Sequence, residues 1–157
     1  MHPCLVDTHS QITPEETVQI PTTLLEAMRF YGDPDVATRT LATARWGAAT
    51  ECLHCHSRDR HFYISTRRIW KCRSCRKQFS PKAGTIFEDS PISLDRWLIA
   101  IWMVANSEQR VSTYKLHRLL GVTQTTATFM LRRIRLAIQA RSSASERSAA
   151  IAAVWAR

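Results

Sequence analysis

The sequence predicts an α+β chain. A small four-cysteine ribbon built on a β-hairpin is preceded by short helices and followed by a three-helix helix-turn-helix domain. Three observations carry this reading. Cys52-Leu53-His54-Cys55 and Cys72-Arg73-Ser74-Cys75 form two C-x2-C pairs with sixteen residues between them. The runs His61–Ile64 and Ile69–Cys72 are β-type and are joined by Ser65-Thr66-Arg67-Arg68. From residue 91 onward apolar residues recur at helical spacing, with Gly121-Val122 between a short helix and a long one.

In chain order, residues 1–21 are polar, carry Pro3, Pro14 and Pro21, and read as a flexible arm. Residues 22–46 read as two short helices broken at Gly32-Asp33-Pro34. Thr22 or Thr23 suits the first N-cap, and Asp33 followed by Pro34 suits the second. Residues 47–90 are the ribbon, where Gln78-Phe79 and Thr85-Ile86-Phe87 are further candidate strands. Residues 91–140 are the helix-turn-helix part. Ser93 is placed to cap its first helix, and Leu94, Trp97, Leu98, Ile101 and Trp102 form one apolar stripe. Leu116, Leu120, Val122, Ala127 and Met130 fall where the helix-turn-helix motif buries aliphatic residues, Gly121 supplies a positive φ, and Thr123 suits the next cap. His117 stands where a small residue usually lets the helices approach. Residues 141–157, rich in Ala and Ser, read as a disordered tail.

The cysteine spacing is that of a structural zinc site. Zn²⁺ takes four ligands tetrahedrally, and thiolates at i and i+3 of a tight turn point at one ion. Cys52, Cys55, Cys72 and Cys75 would close such a site around one structural Zn²⁺, with no open position for a catalytic water. The alternatives are reduced thiols or two disulfides, and His54 or His56 replacing a sulfur. Cys4 is unpaired, which suits a reducing compartment. No basic stretch precedes an apolar run at the N-terminus, and the apolar run near Leu98–Ala105 is too short to span a bilayer. The expected place is therefore the cytoplasm, with no membrane partner.

Net charge is +9 and unevenly placed: residues 1–44 carry −4, residues 45–90 carry +6 and residues 91–157 carry +7. Segregated positive charge on a small module points to nucleic acid. Arg67, Arg68, Lys71 and Arg76 on the ribbon are expected to contact phosphate. In the long helix, Ala127, Met130, Leu131, Ile134 and Ile138 fall inward. Gln124, Thr125, Thr128, Arg132 and Arg135 fall on the opposite stripe, where the second helix of such a motif meets DNA. The competing reading is the solvated face of an ordinary three-helix bundle.

The run Cys72-Arg-Ser-Cys-Arg-Lys-Gln-Phe-Ser-Pro-Lys-Ala-Gly-Thr-Ile-Phe-Glu-Asp-Ser90 resembles the zinc ribbon of insertion-sequence transposases. Leu116-His-Arg-Leu-Leu-Gly-Val-Thr123 and the helix after it resemble the same family, in the family's order, so that the likeness spans about residues 36–139. Glu51 stands where Pro is common and His56 where Gly is common. The resemblance implies the same four cysteine ligands, and a DDE-type catalytic domain after the helices. Two-metal phosphoryl transfer needs clustered carboxylates, yet after residue 91 the only acids are Asp95, Glu108 and Glu146. The expectation is a non-catalytic, truncated front of a transposase that binds double-stranded DNA at a transposon end, possible as a homo-oligomer. A protein-binding ribbon adaptor and a non-functional remnant stay open.

Overall fold

The computed structural model describes residues 21–107 and 109–139. The expected arm before Pro21, Cys4, Glu108 and the expected tail lie outside the described residues. Helix α1 (Leu24–Tyr31) begins on a capping box. Thr23 Oγ1 accepts from the Glu26 N–H at 3.2 Å, and the Glu26 carboxylate accepts from the Thr23 N–H at 3.2 Å, so orphan amides on both sides of the cap are satisfied. Helix α2 (Pro34–Trp46) has Asp33 as N-cap and Pro34 in its first turn, as the sequence indicated. Gly32 makes the corner between them possible, because a Cβ there would lie 2.4 Å from the Met28 carbonyl oxygen.

The ribbon sheet has the order β1 (His61–Ile64), β2 (Ile69–Cys72), β3 (Gln78–Phe79), all antiparallel. Tyr63 lies opposite Trp70, and Trp70 opposite Phe79, so one face of the sheet is aromatic. The strand expected at Thr85-Ile86-Phe87 does not form; residues 81–89 are consecutive turns and a bend. The physical reason lies in where its carbonyls go. Arg45 donates to the Pro81 and Ala83 carbonyls, and Arg133 donates to those of Ile86 at 2.8 Å and Glu88 at 3.2 Å. Guanidinium groups thus replace a ladder as the partner of this backbone. Phe87, fully buried, drops from the connector into the helical core.

Helices α3 (Leu94–Asn106), α4 (Thr113–Leu120) and α5 (Gln124–Gln139) complete the chain. Ser93 holds the N-cap position of α3 but makes no side-chain capping bond. The stripe predicted on α3 is buried, and so are Ile99, Ala100 and Met103 outside it. The cause is that α3 is central: α1 and α2 pack on it as well as α4 and α5. A helix covered on all sides is apolar all round. Gly121 ends α4 in the left-handed region at φ 61°, and Thr123 Oγ1 accepts from the Thr126 N–H at 3.1 Å to start α5. His117 is half-buried and spans this turn, its Nδ1–H donating to the Val122 carbonyl at 2.5 Å. It braces the turn where a small residue would only have left room.

Two buried clusters result. One is the five-helix core with Phe87, and the other holds Ala42, Cys52, Trp70, Cys72 and Phe79, with Trp46 against it. Helix α2 belongs to both, since Ala37 and Leu41 enter the first cluster and Ala42 and Trp46 the second. The expected division after residue 46 therefore runs through a packed contact. Among the described residues, no helix is long and apolar enough to cross a membrane.

Candidate metal centre and nucleic-acid interface

The two C-x2-C segments adopt the same turn. The Cys52 N–H donates to the Ser57 carbonyl and the Cys72 N–H to the Lys77 carbonyl, each at 3.0 Å. The residue after each second cysteine is left-handed, His56 at φ 55° and Arg76 at φ 62°. These turns bring the four Sγ atoms within 4.8 Å of one another, with Cys52–Cys75 at 3.6 Å and Cys55–Cys72 at 3.7 Å. A tetrahedral ion at about 2.3 Å from each sulfur requires sulfur–sulfur edges of about 3.8 Å. A disulfide needs about 2.05 Å. The cluster therefore fits a four-thiolate metal site and not a disulfide pair. Cys52 and Cys72 are buried against Trp70 and Phe79, Cys75 is half-buried and Cys55 is exposed. Hydrogen bonding from the Cys75 backbone N–H, working against burial, brings the Cys72 thiol down to about 6. Against the Ser57 backbone N–H, burial and the neighbouring sulfurs push the Cys55 thiol up to about 12, so the sulfurs share protons as a set, and a metal, which takes thiolates, would have to displace them.

The neighbouring histidines are engaged elsewhere. His54 Nε2–H donates to the Gln78 carbonyl at 3.2 Å, and His56 Nδ1 pairs with Glu51 at 2.9 Å. Glu51 also accepts from Arg58 at 3.0 and 3.1 Å, and these two partners hold its carboxyl below the ordinary value. The two departures from the ribbon pattern thus meet each other, with Glu51 bracing the left-handed His56. Arg76, at the equivalent position of the second turn, has no such brace among the described residues. A left-handed non-glycine costs about 1–2 kcal/mol, against about 0.5–1 kcal/mol of extra chain entropy for Gly. Arg76→Gly is accordingly expected to raise the midpoint of ribbon unfolding slightly, and His56→Gly to leave it level or lower. Chelator titration followed by Trp fluorescence reads both, and a clear drop for Arg76→Gly would contradict the strain argument.

The residues expected to meet nucleic acid are placed as follows. Arg67, Arg68 and Arg76 are exposed on the ribbon, and Lys71 is half-buried, its Nζ 6.0 Å from the Phe62 ring centre. Gln124, Thr125, Thr128 and Arg132 are exposed along α5, with the Thr128 hydroxyl donating to the Gln124 carbonyl at 3.0 Å. Arg135 differs: it is half-buried and donates to the Val111 carbonyl at 2.9 Å, holding the loop before α4. Sequence reasoning passed over exposed Phe62, which lies between Lys71 and Arg73, and exposed Tyr114 beside Arg118 on α4. Alternation along β1 was the signal for Phe62, since it must face away from the Tyr63 and Trp70 side.

Fold and site together define a class: a two-knuckle, four-cysteine ribbon packed on a helix, next to a helix-turn-helix. Residues 32–78 match the transposase zinc-ribbon domain of the IS1595 type, which takes in α2 together with the ribbon. A relative from Halobacterium salinarum, an uncharacterized protein in transposable element ISH50, is 31% identical over 68 residues. That match covers 42% of this chain and 23% of the relative, so the chain spans about a quarter of that relative's length. No solved structure matches.

Proposed function

We propose that residues 21–139 form the zinc-dependent DNA-binding part of a transposase, recognising duplex DNA at a transposon end. The observation that carries this is the transposase zinc-ribbon match over residues 32–78. The sulfur geometry supports Zn²⁺ as the occupant, with a structural role, because all four ligands are protein thiolates and none is left for water. The basic ribbon and the exposed start of α5 support duplex DNA as the partner. The role proposed for these residues is recognition of DNA.

The two surfaces are expected to divide the work. Lys71→Gln should weaken binding to target and random duplex alike and lower the salt slope by about 1. Gln124→Ala should leave that slope nearly unchanged and cut discrimination between the two duplexes by about 1–3 kcal/mol if the contact is bidentate. Titrations of both duplexes at several salt concentrations decide it. Equal losses on both duplexes from Gln124→Ala would remove α5 as the reading helix.

A further inference from the structure

The turn of the hairpin is exposed, yet its Arg67 and Arg68 border more than open solvent. It closes one side of a cleft of about 300 Å³ whose other walls are the start of α2, the connector and the start of α3. Arg67 and Arg68 line it from the hairpin, Lys82 and Ser80 from the connector, Thr38 from α2 and Ser93 from α3. Three cations therefore share one concavity with the Ser93 hydroxyl; the Thr38 hydroxyl is bonded to the Pro34 carbonyl at 2.7 Å, and Ser80 Oγ accepts from the Lys82 N–H at 3.2 Å. Acids close by occupy only part of this charge. Asp35 lies 3.9 Å from Arg68, and Asp89 stands near Lys82. Arg67 has no acidic partner among the described residues. Asp95, in the first turn of α3, does not line the cleft.

Lys82 is the informative member. Burial lowers its pKa, so the ammonium is held partly away from water at a cost. Its Nζ gives one proton to the Ser90 carbonyl at 2.7 Å, which leaves two donors. The Ser93 hydroxyl, which makes no capping bond, lines the same cleft. Flexible surface lysines and arginines give diffuse attraction to a polyanion. A partly desolvated lysine fixed by a backbone carbonyl, with a guanidinium across a concavity, gives a discrete seat for a tetrahedral oxyanion. The cleft sits where the ribbon meets the helical body, so an anion bound there would be held by both at once.

We infer that this cleft binds a phosphate group, and that in the DNA complex the group is a single backbone phosphate held between the ribbon turn and the start of α3. The second half of this rests on the DNA-binding reading above; the first does not. The test uses the full chain loaded with zinc. Inorganic phosphate is titrated against chloride at matched ionic strength, and backbone ¹⁵N–¹H shifts are followed. Saturable shifts are expected at Thr38, Ile69, Ser93 and Leu94 with phosphate alone. Arg67→Gln should weaken phosphate binding about fivefold, the effect of losing one exposed charge-assisted bond. Lys82→Gln, which keeps a donor for the Ser90 carbonyl, should weaken it at least as much. Duplex DNA should suppress the phosphate response. Shifts that fail to saturate, that appear equally with chloride, or that persist in both variants overturn the site. Phosphate binding that continues unchanged in the presence of bound duplex overturns the backbone assignment. Phosphate binding in a chain that binds no duplex overturns the DNA reading and leaves the anion site standing.

Discussion

Removing the metal is expected to unfold the ribbon. Structural zinc contributes about 10–16 kcal/mol of apparent binding free energy in small modules, which matches or exceeds the whole stability of a domain, about 5–15 kcal/mol. The ribbon has little else to hold it. Its buried cluster consists of Ala42, Cys52, Trp70, Cys72 and Phe79, and two of those five are proposed ligands. Chelation, or Cys72→Ser, should therefore release residues 47–79 and expose Trp70, with a red shift in emission. The helical core should persist, because it contains none of the four cysteines. Helix α2 should fray from its C-terminal end, where Ala42 and Trp46 lose their partners. Metal analysis finding no zinc in protein purified without chelator would sink the proposal, as would an unchanged fold after complete chelation.

The second large effect is expected at Trp97. Its indole is fully buried, with Phe87 at 5.5 Å and Phe129 at 6.4 Å between ring centres, and its Nε1–H donates to the Ser90 hydroxyl at 3.0 Å. Trp97→Ala should cost about 3–5 kcal/mol through lost burial and a residual cavity. The Ser90 hydroxyl loses its indole donor but keeps the Ile92 N–H at 3.3 Å, so it adds little to this. In a domain of ordinary stability that suffices to melt the helical body near physiological temperature. The ribbon should still bind metal, because its ligands and Trp70 lie in the other cluster. Denaturant unfolding followed by helical circular dichroism, alongside a thiol-competition assay for bound metal, reads the two parts separately. A loss below about 1 kcal/mol would mean that the connector and α3 do not depend on this contact.

The parts of the molecule that were legible in the sequence are those fixed by local chemistry. Ligand spacing gave the four cysteines. Cap residues gave the starts of α1, α2 and α5, and Gly121 gave the turn between α4 and α5. Gln78-Phe79 formed the third strand, whereas the equally β-type Thr85-Ile86-Phe87 did not. The difference lies in partners distant in sequence: Arg45 and Arg133 take the connector's carbonyls from either side. The same limit hid the role of α3, because a stripe shows one partner face and not the α1–α2 pair that covers the other. It also hid Arg135, whose position on the outward stripe is right and whose guanidinium is nonetheless bonded to Val111. Charge counting treats all arginines alike. Arg45, Arg133 and Arg135 are spent on backbone carbonyls, so the surface facing a partner is less basic than the net charge of +9 suggests.

Helix α2 also sets what can be exchanged between proteins of this architecture. A transplant cut between residues 46 and 47 would carry the cysteines but leave Ala42 and Trp46 behind, so the incoming ribbon would meet a foreign wall. A transplant cut at Gly32 would carry that wall but bring new side chains to positions 37, 38 and 41, which face α3 and its neighbours. A chimera should therefore take its whole second helix from the ribbon donor and restore Ala37, Thr38 and Leu41 from the recipient. Recombination between such genes faces the same restriction, since a crossover on either side of this helix breaks one of its two packed faces.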